Sequence, residues 1–252
     1  MLEIPTLMGF AFVAGLIDAA VGGGGLIQVP GLFATLPQAV PASLLGTNKL
    51  SSVFGTFAAC WRYACKLRLN WSLILPIAFT AFVFSFLGAG AVSLLSKDLV
   101  RPLVLVLMIG MLVYTLWKKD FGANHFTKAI GRRERLQAIL MGGGIGFYDG
   151  FFGPGTGSFL IFLFIRIFGF DFLHASAAAK VVNAATNLAA LAYFVPSQHI
   201  MYQYGLPMAV ANVAGAAVGT RLAIKGGVGL LRSLFVVLVS VLVVKLIWDI
   251  IH

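Results

Sequence analysis

The sequence predicts an all-α integral membrane protein made of two inverted-topology repeats, each a Gly-broken helical hairpin followed by three spanning helices. Three observations predict it. Of 252 residues, 60% are hydrophobic and 10% charged, with a mean hydropathy of +0.98, whereas about a quarter of an ordinary soluble domain is charged. The chain matches itself at an offset of 131 residues. Its Lys and Arg residues fall in opposite sets of loops in the two halves.

Hydropathy marks windows at 4–21, 42–61, 72–95, 99–117, 174–195, 205–224 and 229–248, each near the roughly 20 apolar residues that cross about 30 Å of hydrocarbon as a helix. Helices close their own backbone hydrogen bonds in lipid, and the alternation of a transmembrane barrel is absent. The first run opens "MLEIPT", with an acid and no cationic start, so it reads as a permanent segment and not a cleaved signal.

Shifted by 131 without a gap, Gly15 falls on Gly146, Asp18 on Asp149, Gly22 on Gly153, Gly24 on Gly155, Lys49 on Lys180, Pro76 on Pro207, Gly88 on Gly219, Arg101 on Arg232 and Trp117 on Trp248. Apolar matches are cheap at this composition; matched Lys, Asp, Arg, Pro and Trp are not. The repeats divide the chain into a membrane unit at 1–117, a basic linker at 118–136 and a second membrane unit at 137–252. Lys118, Lys119, Lys128, Arg132, Arg133 and Arg135 place the linker in the cytoplasm.

Charge then orients the halves. The loop after the third apolar segment carries Arg62, Lys66 and Arg68 in the first half, while its counterpart at 196–204 has no Lys or Arg; conversely 221–232 holds Arg221, Lys225 and Arg232. With basic loops inside, the halves enter the membrane from opposite sides and both termini face outward. The segments before the third helix are short and broken, at 4–21, "GGGG" and 26–36, then at 137–152, Gly153-Pro154-Gly155 and 158–168. Each pair is a hairpin, re-entrant or spanning.

A Lys at the centre of a membrane helix costs about 2.5–3.5 kcal/mol on insertion scales. Lys49, Ser52 and Thr56 lie at i, i+3 and i+7 on one helix face, and the shift carries them to Lys180, Asn183 and Asn187. Two such faces of opposite direction offer cations and hydrogen-bond donors, the chemistry of an anion site. Snorkelling to the interface, or neutralisation of Asp18 and Asp149 in structural ion pairs, are the plainer readings of the lysines. Glycine breaks at membrane depth expose backbone N–H groups and helix N-termini that attract anions; helix packing through small residues explains glycines equally well. Asp18 and Asp149, four residues before the breaks, are placed to accept hydrogen bonds from the freed amides, to pair with the lysines or to carry a proton. Support of the loop is the reading we favour.

Other chemistries are excluded. "GPGTGS" lacks the Lys of a phosphate-binding loop and follows no strand. Four histidines at 125, 174, 199 and 252 show no ligand spacing, and two cysteines, Cys60 and Cys65, make neither a disulfide framework nor a metal cluster. No metal, cofactor or nucleophile–base constellation is expected, so the chain does not read as an enzyme. The net charge of +10 follows from topology and not from nucleic acid binding. Trp61, Tyr63, Trp71, Trp117 and Trp248 lie at segment ends and read as interfacial anchors.

At "GLIDAAVGGGGLIQVP", "GTNKLSS", "GFYDGFFGPGTGSF" and "AAAKVVNAATN" the sequence resembles the TauE/SafE family of sulfite exporters (4-toluene sulfonate uptake permeases), in its YfcA-like branch, over about residues 9–249. The resemblance implies a multi-pass permease of the bacterial inner membrane for small sulfur-containing anions such as sulfite or organosulfonates. Its paired motifs fall on Asp18, Gly22 to Gly25, Thr47, Asn48 and Lys49, and on Asp149, Gly153 to Gly157, Lys180, Asn183 and Asn187. Ala178 and Ala179 stand where the first half has Thr47 and Asn48, so the two half-sites differ chemically. The expected substrate-binding set is Lys49, Lys180, Asn48, Ser52, Thr56, Asn183, Asn187, Gly24, Gly25, Gly155 and Thr156, with Asp18 and Asp149 in coupling or loop support. The expected partners are a small anion and the lipid bilayer, with homo-oligomerisation left open. Two alternatives stand beside export: cation permeation with the two Asp as ligands, and a non-transporting membrane subunit that binds a partner through the basic linker.

Overall fold

In the computed structural model, described residues run from 2 to 94 and from 131 to 226, with isolated positions at 102, 106, 109, 110, 237 and 240. The windows at 99–117 and 229–248, most of the basic linker, and the Arg101/Arg232 and Trp117/Trp248 matches lie outside them. The described residues form eight helices and no strand: α1 (Glu3–Val21), α2 (Gly25–Thr35), α3 (Pro41–Ala64), α4 (Trp71–Ser93), α5 (Arg132–Phe151), α6 (Thr156–Phe168), α7 (Phe172–Phe194) and α8 (Tyr202–Ile224).

Three of them, α1, α4 and α8, are long and apolar enough to cross a membrane. On α4 the side chains of Leu75, Phe79, Phe86 and Leu87 are exposed, an apolar face that lipid would solvate as well as protein would. Helices α3 and α7 are as long, 24 and 23 residues, yet carry the polar stripe. Their Thr47, Asn48, Lys49, Lys180, Asn183 and Asn187 are all buried, so polarity in them is kept from lipid by the surrounding helices. The second hairpin arms are short. At 11 and 13 residues and 1.5 Å per residue, α2 and α6 extend only about 17 and 20 Å, less than the hydrocarbon thickness. Of the two hairpin geometries, these lengths favour re-entry.

Helix α5 begins at Arg132, so the end of the charged stretch is helical and not loop. The Glu134 carboxylate accepts from the Gly131 N–H at 2.9 Å, which holds an acid at the positive end of the helix and satisfies an orphan donor. Helix α7 starts similarly: Asp171 accepts from the His174 N–H at 2.8 Å.

The halves interlock by exchange. The first helix of each half packs on the fourth helix of the other, α1 on α8 and α5 on α4, and the contacts repeat at the sequence offset. A Cβ placed on Gly219 would collide with the Leu16 carbonyl; one on Gly88 would collide with that of Phe147, and both members of the second pair differ from the first by 131 residues. At the middle, α3 and α7 pack on each other and on the fourth helices. Apolar packing surrounds this centre in two large clusters, one mainly on α1, α2, α3 and α8 and the other on α4, α5, α6 and α7, with a small third of Ala19, Ala59 and Ala216.

One aromatic expectation fails. Trp61 and Trp71 are exposed, but Tyr63 is fully buried, and its hydroxyl donates to the Ala19 carbonyl at 2.8 Å. Near the end of α3, Tyr63 is a bridge to the last turns of α1, because it lies on the side of α3 that packs on α1, where Ala19 offers a carbonyl for the phenol.

Candidate functional site

The two hairpin breaks meet at the centre of the molecule. Gly22 caps α1 in the left-handed region at φ 79° and donates to the Asp18 carbonyl; Gly153 and Gly155, at φ 91° and 84°, turn the second hairpin. Such angles are costly for any residue with a Cβ. Here the glycines also permit contact: the Ser158 N–H donates to the Gly22 carbonyl at 3.1 Å, and the Ser158 hydroxyl donates to the Val21 carbonyl at 2.7 Å. The second break is braced from within by Thr156, whose hydroxyl donates to the Gly153 carbonyl at 2.7 Å, and by Tyr148, whose phenol donates to the Pro154 carbonyl at 2.6 Å.

Beside the crossed breaks, two ion pairs join the halves. Lys49 Nζ lies 2.8 Å from Asp149 Oδ2, an ionic contact off the line of a hydrogen bond, and both side chains are almost wholly buried. Lys180 Nζ donates to Asp18 Oδ2 at 2.5 Å; Lys180 is fully buried, whereas the Asp18 side chain keeps 19% of its surface open. The lysine of each half thus holds the aspartate of the other. Asp18 also takes the Gly24 N–H on its other oxygen, at a long 3.4 Å. Pairing with lysine and support of the break, set out above as alternatives for Asp18, occur together.

A small cavity of about 20 Å³ opens here, lined by Asp18, Gly22, Gly24, Gly25, Asn48, Lys49, Ser52, Thr56, Asp149, Gly153, Gly155, Gly157, Asn183, Asn187 and Asn212. That volume holds about one water molecule. Eleven of the thirteen residues singled out in the sequence line it. The other two do not: Lys180 sits behind Asp18, and Thr156 spends its hydroxyl on Gly153. Thr47, part of the first motif, turns away, accepting from the Met201 N–H at 2.9 Å in the approach to α8.

The sequence reading missed one wall. Asn212 of α8 lines the cavity and donates to Gln28 Oε1 at 2.9 Å; Gln28 Nε2 in turn reaches the Asn48 carbonyl at 3.5 Å. Both residues are buried, and their repeat positions are Phe159 and Ala81. A search restricted to matched polar residues passes over them, although an unmatched Gln or Asn in an apolar helix was itself a signal. On the opposite wall Asn187 donates to Asn183 Oδ1 at 3.2 Å. Among the described residues no cluster of His, Cys, Asp and Glu is arranged to hold a metal ion.

This arrangement, crossed broken hairpins with buried cations on pseudo-equivalent helices, spans nearly the whole chain, and so does a match to a known family. The family model described as sulfite exporter TauE/SafE matches residues 7–246. The chain belongs to this family. It is 35% identical over 254 residues to the probable membrane transporter protein YfcA of Escherichia coli K12, covering 97% of this chain and 91% of that one. It is 34% identical over 244 residues to the probable membrane transporter protein ORF9 of Sinorhizobium sp., covering 96% and 91%. A probable membrane transporter protein of Haemophilus influenzae is 33% identical over 243 residues, covering 94% and 92%. No solved structure matches the chain significantly. Membership makes this a protein of a membrane transporter family, with a small-molecule substrate and a lipid environment.

Proposed function

We propose that the protein is a secondary transporter that exports a small sulfur-containing oxyanion, sulfite or an organosulfonate, by alternating access between two repeats of opposite orientation in the bacterial inner membrane. The observation that carries the reading is the pair of crossed ion pairs. Each couples the polar helix of one half to the broken hairpin of the other, so motion of one half against the other must break or remake them. Opposite orientation is supported by the reversed basic loops.

The cavity is too small for an oxyanion while the Ser158–Gly22 contact holds the hairpin tips together. Separation of the hairpin tips would admit the anion to Lys49, Ser52, Thr56, Asn183 and Asn187. An inside-negative potential favours outward movement of an anion by about 2.3 kcal/mol per charge per 100 mV. Cation permeation through Asp18 and Asp149 is the weaker reading, since both carboxylates are already held by ammonium groups.

The test is flux from proteoliposomes. Lys180→Ala abolishes sulfite and sulfonate flux on this reading. The double variant Lys180→Ala/Asp18→Asn, which leaves no buried charge unpaired, separates lost transport from lost folding: it restores stability and stays inactive. Wild-type flux from the double variant discards the site.

A further inference from the structure

Resting on the anion-site reading just given, we propose that the site selects monoanions bearing an O–H donor, of the hydrogensulfite or hydroxysulfonate kind, over oxyanions with no hydrogen to give, and that Asn48 is the residue that reads the hydrogen. Asn48 lines the central cavity, is 4% exposed, and its Oδ1 has no hydrogen-bond partner. A buried acceptor left unpaired costs free energy that a donor recovers. Gln28 gives one amide N–H to the Asn48 backbone carbonyl and Asn212 gives one to Gln28, and neither amide reaches Asn48 Oδ1.

A guest with no hydrogen to give leaves that acceptor unpaired, while one that carries a hydroxyl pairs it. Charge points the same way. Lys49 is balanced by Asp149 and Lys180 by Asp18, so a guest enters a neutral set of four groups, and a dianion brings twice the uncompensated charge of a monoanion into a largely buried site. Selection of this sort, through a buried polar group that one ligand pairs and another strands, discriminates more sharply than apolar shape does. The repeat-related position is Ala179, so the reader is present once.

The test is calorimetric titration of the detergent-solubilised full chain with 2-hydroxyethanesulfonate and 1-propanesulfonate, equal in charge and in number of heavy atoms. The hydroxylated anion is expected to bind at least tenfold more tightly, and Asn48→Ala to bring the two within about twofold. Equal binding to wild type overturns the donor requirement and leaves the anion site standing; that comparison needs no variant. A preference that persists in Asn48→Ala overturns the assignment to Asn48. If neither anion binds, the anion site itself fails and this inference with it.

Discussion

The two hairpin breaks share a skeleton and differ in their chemistry. Each has a left-handed glycine after an Asp that is paired to a lysine of the other half, and each packs its first helix on the fourth helix of the other half. Around that skeleton the first half supplies Gln28 and Asn48 where the second has Phe159 and Ala179, and the second supplies Asn183 and Asn187 where the first has Ser52 and Thr56. What repeats is the set of glycine breaks and ion pairs that joins the halves. What differs is the lining of the cavity between them.

The ion pairs expose this difference most strongly. Lys49→Ala leaves Asp149 bare in a site where its side chain is 2% exposed, while Lys180→Ala leaves Asp18, 19% exposed. Removing one partner of a buried pair costs about 3–5 kcal/mol. Lys49→Ala should lie near that range and Lys180→Ala below it, because partial hydration screens the Asp18 charge. Thermal unfolding in detergent of both variants checks the order; equal losses would mean that the two sites are equivalent after all. Lys49→Met/Asp149→Leu should recover most of the stability without recovering transport.

A smaller loss is expected where the breaks touch. A Cβ on Gly157 would sit 2.6 Å from the Gly22 Cα, whereas Gly9 and Gly144 have nothing within 4 Å of theirs. Gly157→Ala should cost roughly 1–3 kcal/mol through overpacking and slow transport by wedging the hairpin tips. Alanine at Gly9 or Gly144, inside α1 and α5, should stabilise by up to about 1 kcal/mol through helix propensity. Unfolding midpoints of the three variants decide whether the glycines serve the crossing or only the helices' flexibility.

Tyr63 and Tyr148 offer a finer contrast. Both phenols donate to a carbonyl near a break, Ala19 at 2.8 Å and Pro154 at 2.6 Å, but only Tyr63 is fully buried. Tyr63→Phe strands a carbonyl away from water and should cost about 1–3 kcal/mol; Tyr148→Phe should cost about 1 kcal/mol. If the order reverses, the second break depends on its brace more than the first does on its bridge.

How much of this was legible in the sequence follows from what repetition does. Asp18, Lys49 and their copies stood out because a costly residue in lipid occurred twice at one offset, and the cavity gathers all of them but Lys180. Which lysine holds which aspartate was not legible, since the choice depends on exchange of halves in three dimensions. Gln28 and Asn212 were passed over because their counterparts are Phe159 and Ala81, so the filter that found the skeleton removed the asymmetric wall. Tyr63 resembled an anchor because hydropathy gives distance from a segment end and not the direction the side chain takes. Arg132 to Arg135 read as linker because a charge run hides a helix start, which the Glu134 contact to Gly131 supplies.

That glutamate carries the smallest effect and a last comparison. Glu3 and Glu134 are related by the same offset, yet Glu134 bonds its own helix start while Glu3 accepts from the Tyr204 hydroxyl at 2.6 Å. The residue related to Tyr204 is Leu73, so the second joint has no phenol to offer and its acid turns back to the helix. Glu134→Gln keeps the hydrogen bond and loses the charge at the helix N-terminus, an effect of about 0.3–1 kcal/mol that added salt reduces. Glu3→Gln faces solvent and should change stability by no more than about 0.5 kcal/mol. Glu3 also stands in the first turn of its helix, so both losses should shrink with added salt; unfolding midpoints at low and high salt check that the Glu134 loss is the larger of the two.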